Sequence, residues 1–143
     1  MRKRNQLQSV HTLAKSAETE TSSQVSSHRQ ALQIEEQRLA QLEAYHREYT
    51  TISHDAQQST GINHIRSRRG FMQKLNEAIV AQREVVSRCL IQLETQLGSW
   101  RDARSRAMSL QKFSERVSEQ ADKRQARKDQ KELDNISRHQ NTR

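Results

Sequence analysis

Apolar residues recur at steps of three and four along two stretches of this chain and fade between them, which predicts two long helices joined by a turn. The first stretch closes on Leu42, Tyr45 and Tyr49, and the second restarts at Phe71, Leu75, Ala78 and Ile79, with Gly61 and Gly70 in the polar segment between them. The pattern places helix 1 at about 5–58, the turn at about 59–70 and helix 2 at about 71–135, with a tail to 143, as a single domain 1–143. The expected fold is all-α, two long helices forming an antiparallel coiled-coil hairpin. A bent helix running on through the glycine segment is the alternative. Three of the four Tyr and Phe residues flank the turn.

The arms differ in clarity. Leu7, Val10, Leu13, Ala14 and Ala17 have weak helical spacing, and Glu18 to Ser27 is rich in Ser and Thr. Those side chains compete for backbone hydrogen bonds, so this is the expected soft part of the first helix. From there one heptad position reads Val25, Leu32, Leu39, His46 and the other His28, Glu35, Leu42, Tyr49, Ala56. On the second arm the positions read Met72, Ile79, Val86, Leu93, Trp100, Ala107, Ser114, Ala121 and Leu75, Gln82, Cys89, Gln96, Ala103, Leu110, Val117. A repeat this long argues for a coiled-coil seam over an ordinary amphipathic helix. Gln82 and Gln96 within it thin the core, and marginal stability of the free chain is expected. Gly98 lies outside both positions.

Gln57, Gln58, Ser59, Thr60 and Gly61 are read as the end of helix 1, with Gly61 in the left-handed conformation of a C-terminal cap. Ile62 and Ile65 are expected to pack back onto the tip, and Gly70 to permit a sharp bend before Phe71. Folding the arms about a turn near residue 66 sets Tyr49 near Gln82, Leu42 near Cys89, Leu39 near Leu93, Leu32 near Trp100 and Val25 near Ala107. At 1.5 Å per residue, arms of about 55 to 60 residues predict a rod roughly 80 to 90 Å long. Lys131 then falls opposite Met1, and the chain overhangs beyond it.

Composition narrows the function. Only 31% of residues are apolar, 29% are charged and there is no proline, which suits solvated helix around a narrow seam rather than a broad core. No apolar run approaches the roughly 20 residues of a bilayer span, and the basic start at Arg2, Lys3 and Arg4 is not followed by the apolar segment of a secretory signal. A cytoplasmic protein is expected. Six histidines are scattered without ligand spacing, and Cys89 falls on the seam without a partner base, so neither a metal, a cofactor nor a nucleophile is expected. No phosphate-binding glycine loop is present, and a thin hairpin offers no pocket in which to desolvate a reacting group. The expected protein is not an enzyme.

The net charge of +8 favours an acidic partner surface. Nucleic acid is the rival, but the basic residues split among Arg2 to Arg4, Arg66 to Arg69 and Lys123 to Lys131, with acids interspersed, and stacking platforms are lacking. No specific nucleic acid is expected.

Leu42, Tyr45, Glu48 and Tyr49, a glycine-bearing turn, then Phe71, Leu75, Ala78, Ile79 and Gln82, followed by Trp100 and Arg101, resemble the flagellar export protein FliJ family. The similarity runs on to Asp129, Gln130, Lys131 and Asp134. Arg38 stands where that family usually has glutamine. The resemblance implies a cytoplasmic hairpin, peripheral at the inner face of the membrane through protein partners, in the type III export apparatus. It implies a stalk whose open end, here Arg124, Arg127, Lys128 and Lys131, engages a hexameric export ATPase. By the same resemblance, Leu42, Tyr45, Tyr49, Phe71, Leu75, Ala78 and Gln82 would meet the export gate membrane protein, and export chaperones would be handled as well. The equivalent stalk of an injectisome is the alternative.

Overall fold

The computed structural model describes residues 2–56 and 61–142. Among these the protein is all-α: α1 spans Arg2–Ala56 and α2 spans Ile62–Asn141, and they form a helical hairpin. The expected helix end at Gln57, Gln58, Ser59 and Thr60, and the seam side chain of Ala56, lie outside the described residues and side chains. The chain divides into two compact units, Thr21–Trp100 and the pair Met1–Glu20 with Arg101–Arg143.

In the Thr21–Trp100 unit, Val25, Leu32 and Leu93 form a buried cluster, with Val86, Cys89, Leu97 and Trp100 packed against it. Leu75 and Ile79 are buried nearer the turn. Cross-helix contacts run in opposite senses along the two arms: Gln96 Nε2 donates to Gln24 Oε1, Gln82 Nε2 donates to Glu35, and Phe71 stacks against Tyr49. The helices are therefore antiparallel. In the other unit, Ala14 and Ala107 are the buried residues, and Leu7, Leu110 and Val117 are half-buried. Leu7, His11, Ala14, Glu18 and Thr21 turn inward while Val10, Leu13 and Ala17 stay exposed, so the periodicity at the start of α1 is weak because polar residues share the inward face.

Every seam position read from the heptads, from Val25 to Tyr49 and from Met72 to Val117, is buried or half-buried; Ala121 is exposed. The pairing between arms differs from the expected one. Tyr49 meets Phe71 rather than Gln82, Gln82 meets Glu35, and Leu93 packs with Val25 and Leu32 rather than Leu39. The cause is the turn. Helix α2 already starts at Ile62 and runs without interruption through Gly70, so residues 62–70 belong to the arm and the centre of the hairpin lies earlier than residue 66. The consequence is a slip of roughly two heptads.

Gly61 opens a helix rather than closing one. Its carbonyl accepts from His64 N at 3.1 Å and Ile65 N at 3.4 Å, the first bonds of α2, which is the N-cap role. No described glycine has positive φ. Ile62 and Ile65 do not fold back; they are 74% and 38% exposed. The Ser- and Thr-rich segment is helical throughout, and hydroxyls there bond back one turn, Thr19 to Lys15 O at 3.0 Å and Ser27 to Ser23 O at 3.2 Å. Satisfied in this way, they no longer compete with the helix. At the other end α2 continues past residue 135 to Asn141, and Glu119 to Thr142 is exposed at every position. The solvated extension thus begins well before Lys131.

Gly70 and Gly98 sit inside α2, and a Cβ built at either meets nothing within 4 Å. Gly70→Ala and Gly98→Ala should each stabilise the protein by about 0.5 to 1 kcal/mol, read as a raised melting temperature by circular dichroism. A lowered value for Gly70→Ala would mean that the helix bends there.

Candidate partner interface

Tyr45 and Tyr49 are one helical turn apart on α1, so their rings share a face. The pairing of the arms brings Phe71 of α2 to that face. Its ring centroid lies 4.6 Å from Tyr49, with the planes at 45°, and 6.3 Å from Tyr45, at 57°. Such tilted contacts suit aromatic quadrupoles. The trio is packed but not covered: Tyr45 is 54% exposed and Phe71 39%, while Tyr49 is half-buried.

The other residues expected beside it divide. Leu42 is half-buried, one turn from Tyr45, and Ala78 is exposed, two turns from Phe71. Leu75 is a core residue at 7% exposure. Gln82 is used internally, donating from Nε2 to the Glu35 carbonyl at 3.0 Å and to Glu35 Oε2 at 2.6 Å. Glu35 Oε1 also takes Arg38 Nη1 at 2.9 Å. A carboxylate in the seam thus has donors on both oxygens, which satisfies the requirement that a partly buried polar group be bonded. A looser ion pair, Arg83 to Glu43 at 3.3 Å, crosses the arms close by, with both side chains well exposed.

Arg124, Arg127, Lys128 and Lys131 are all exposed on the C-terminal extension of α2. Nearby carboxylates are engaged by amides instead: Gln125 donates to Asp129 at 3.2 Å and Gln130 to Asp134 at 3.4 Å. The cationic heads face solvent, along a helix with no apolar partner. Among the described residues there is no cluster of side chains able to hold a metal ion, and no helix is long and apolar enough to cross a membrane.

The family model described as Flagellar FliJ protein matches residues 2–143, essentially the whole chain. The chain belongs to the FliJ family. As a FliJ-family member it is a component related to flagellar protein export. No curated protein and no solved structure matches it.

Beside the trio, this FliJ-family chain also carries an open groove that the heptads do not reveal. Met72, Gln73, Asn76, Val80 and Glu84 line about 620 Å³ of it, and Val80 is 57% exposed. Val80 lies next to the seam residue Ile79 but outside both seam positions, and nothing in the heptads distinguishes it from other exposed aliphatics of α2 such as Ile91.

Replacing Gln82 by alanine removes both of its hydrogen bonds to Glu35 and leaves the carboxylate in the seam with Arg38 alone. The expected loss is about 1 to 2 kcal/mol, seen as a lower urea midpoint. Arg83→Ala, which removes only an exposed pair, should cost about 0.5 kcal/mol or less. Equal effects would contradict the reading of Gln82 as a seam bond.

Proposed function

We propose that this FliJ-family chain is a non-enzymatic stalk of the flagellar export apparatus, with two protein contacts on different units of the hairpin. The aromatic trio Tyr45, Tyr49 and Phe71, with Leu42 and Ala78 beside it, anchors the export gate membrane protein. The observation that carries this reading is the partial exposure of Tyr45 and Phe71: large rings pre-packed against one another lose little side-chain freedom on binding, which is the character of an interface hot spot. Leu75 and Gln82 support the trio from within rather than touching the partner, Leu75 by packing and Gln82 by fixing the pairing of the arms.

The second contact is the C-terminal extension of α2, where Arg124, Arg127, Lys128 and Lys131 meet acidic surfaces at the centre of the hexameric export ATPase. Exposure of Glu119 to Thr142 supports this, because an uncovered helix is available to a partner supplied in trans. Any effect on ATP hydrolysis is indirect. The stalk favours one assembly or conformation of the ring by binding it better than the others. Export chaperones are handled by the same hairpin while it is held between ring and gate.

Tyr45→Ala with Phe71→Ala should abolish binding to the gate's cytoplasmic part and leave far-UV helicity unchanged; loss of helicity would return the trio to the core. Separately, the chain should stimulate hydrolysis and ring assembly by the cognate ATPase. Arg124→Gln, Arg127→Gln, Lys128→Gln and Lys131→Gln together should remove that stimulation but not gate binding. Unchanged stimulation would refute the placement of the second contact.

A further inference from the structure

Between Asp55 and Glu77 the chain contains no acidic residue, while Arg66, Arg68, Arg69 and Lys74 are all basic. As in the segment before Glu18, with Arg2, Lys3, Arg4 and Lys15, the bases here have no acid among them. This acid-free stretch begins the second arm, and the start of α2 at Ile62 gives it a fixed geometry. Ile62, Ile65, Arg66 and Arg69 fall at steps of three and four and so share one face of the helix. All four are exposed, Ile62 to 74% and Ile65 to 38%. Among the described residues no carboxylate pairs with Arg66 or Arg69.

We infer that this face is a docking surface for an anionic lipid bilayer. Two aliphatic side chains one turn apart beside the hairpin turn gain by leaving water, and shallow insertion at the headgroup boundary provides that. Arginines at the next positions place their guanidinium heads at lipid phosphates while their stems lie along the apolar boundary. Electrostatic attraction to an anionic leaflet and burial of a small apolar face then act together, each too weak alone for stable attachment. A nucleic-acid duplex would use the arginines but leave the isoleucines in water, so the lipid surface is the better chemical match. The contact is separate from the aromatic trio and requires no protein partner.

The test sediments the full chain with vesicles of phosphatidylcholine alone and of phosphatidylcholine with about 30% phosphatidylglycerol, at low and moderate salt. Binding is expected only to the anionic vesicles and should weaken as salt rises. Arg66→Gln with Arg69→Gln should weaken it by roughly tenfold or more. Ile62→Ser with Ile65→Ser should weaken it comparably at unchanged charge. Because these positions are exposed, both variants should keep the parent's circular dichroism. The fourfold glutamine variant of the C-terminal extension should bind the vesicles as the parent does. Absence of binding, an Ile variant that binds like the parent, loss in the C-terminal variant instead, or tighter binding to duplex DNA than to the vesicles would each overturn the inference.

Discussion

The amide of Gln82 lying on Glu35 is the interaction on which the arrangement of this hairpin depends. Apolar seam positions in two heptad-patterned helices are nearly interchangeable: sliding one arm by whole heptads sets leucine, valine or alanine against a similar neighbour. Polar positions are not interchangeable. A glutamine set against a leucine, or a glutamate without a donor, leaves a desolvated group unbonded, at about 1 to 3 kcal/mol each. With Glu35 held by Gln82 from the facing arm and by Arg38 from its own, Glu35 and Gln82 are satisfied together in this register. Gln96 and Gln24 add a second matched pair in the same unit. Polar residues here weaken the seam and select its alignment.

That alignment determines what the surface offers. Phe71 comes to rest between two tyrosines that sit one turn apart on the facing helix, and so three rings are held ready on a narrow scaffold. In the alternative pairing Tyr49 would face an amide and the rings would be scattered. The start of α2 is an exposed face of isoleucine and arginine, and Glu119 to Thr142 is exposed at every position. The contacts proposed for this FliJ-family chain therefore follow from register rather than from a pocket or a loop. Rigid presentation compensates for a thin core.

Much of the fold was readable from periodicity. The heptad frame depends only on each helix's own repeat, and positions such as Val25, Leu32, Ile79 and Leu93 are internal as that repeat requires. Register was not readable in the same way, because a slip of roughly two heptads maps seam onto seam and changes only the partners. The misleading residues were the glycines. Gly70 suggests a bend, but a glycine inside a long helix costs about 1 kcal/mol, which neighbouring turns absorb. Gly61 suits a left-handed cap equally well, yet here it opens α2 through its carbonyl. Of the candidate site, the aromatic residues were legible from their position beside the turn. The internal use of Leu75 and Gln82 was not, since it follows from the pairing. Nor was the exposure of Ile62 and Ile65, whose apolar character suggested burial.

Disulfide trapping in a Cys89→Ser background tests the register most directly. A chain carrying Tyr49→Cys with Phe71→Cys should cross-link readily under mild oxidation, because those side chains face one another across the arms, whereas Tyr49→Cys with Gln82→Cys should not. Efficient bonding requires Cα atoms within about 7 Å, so the two variants cannot both succeed in one register. Cross-linking of the 49 and 82 pair, with none between 49 and 71, would contradict the account and move the aromatic trio apart.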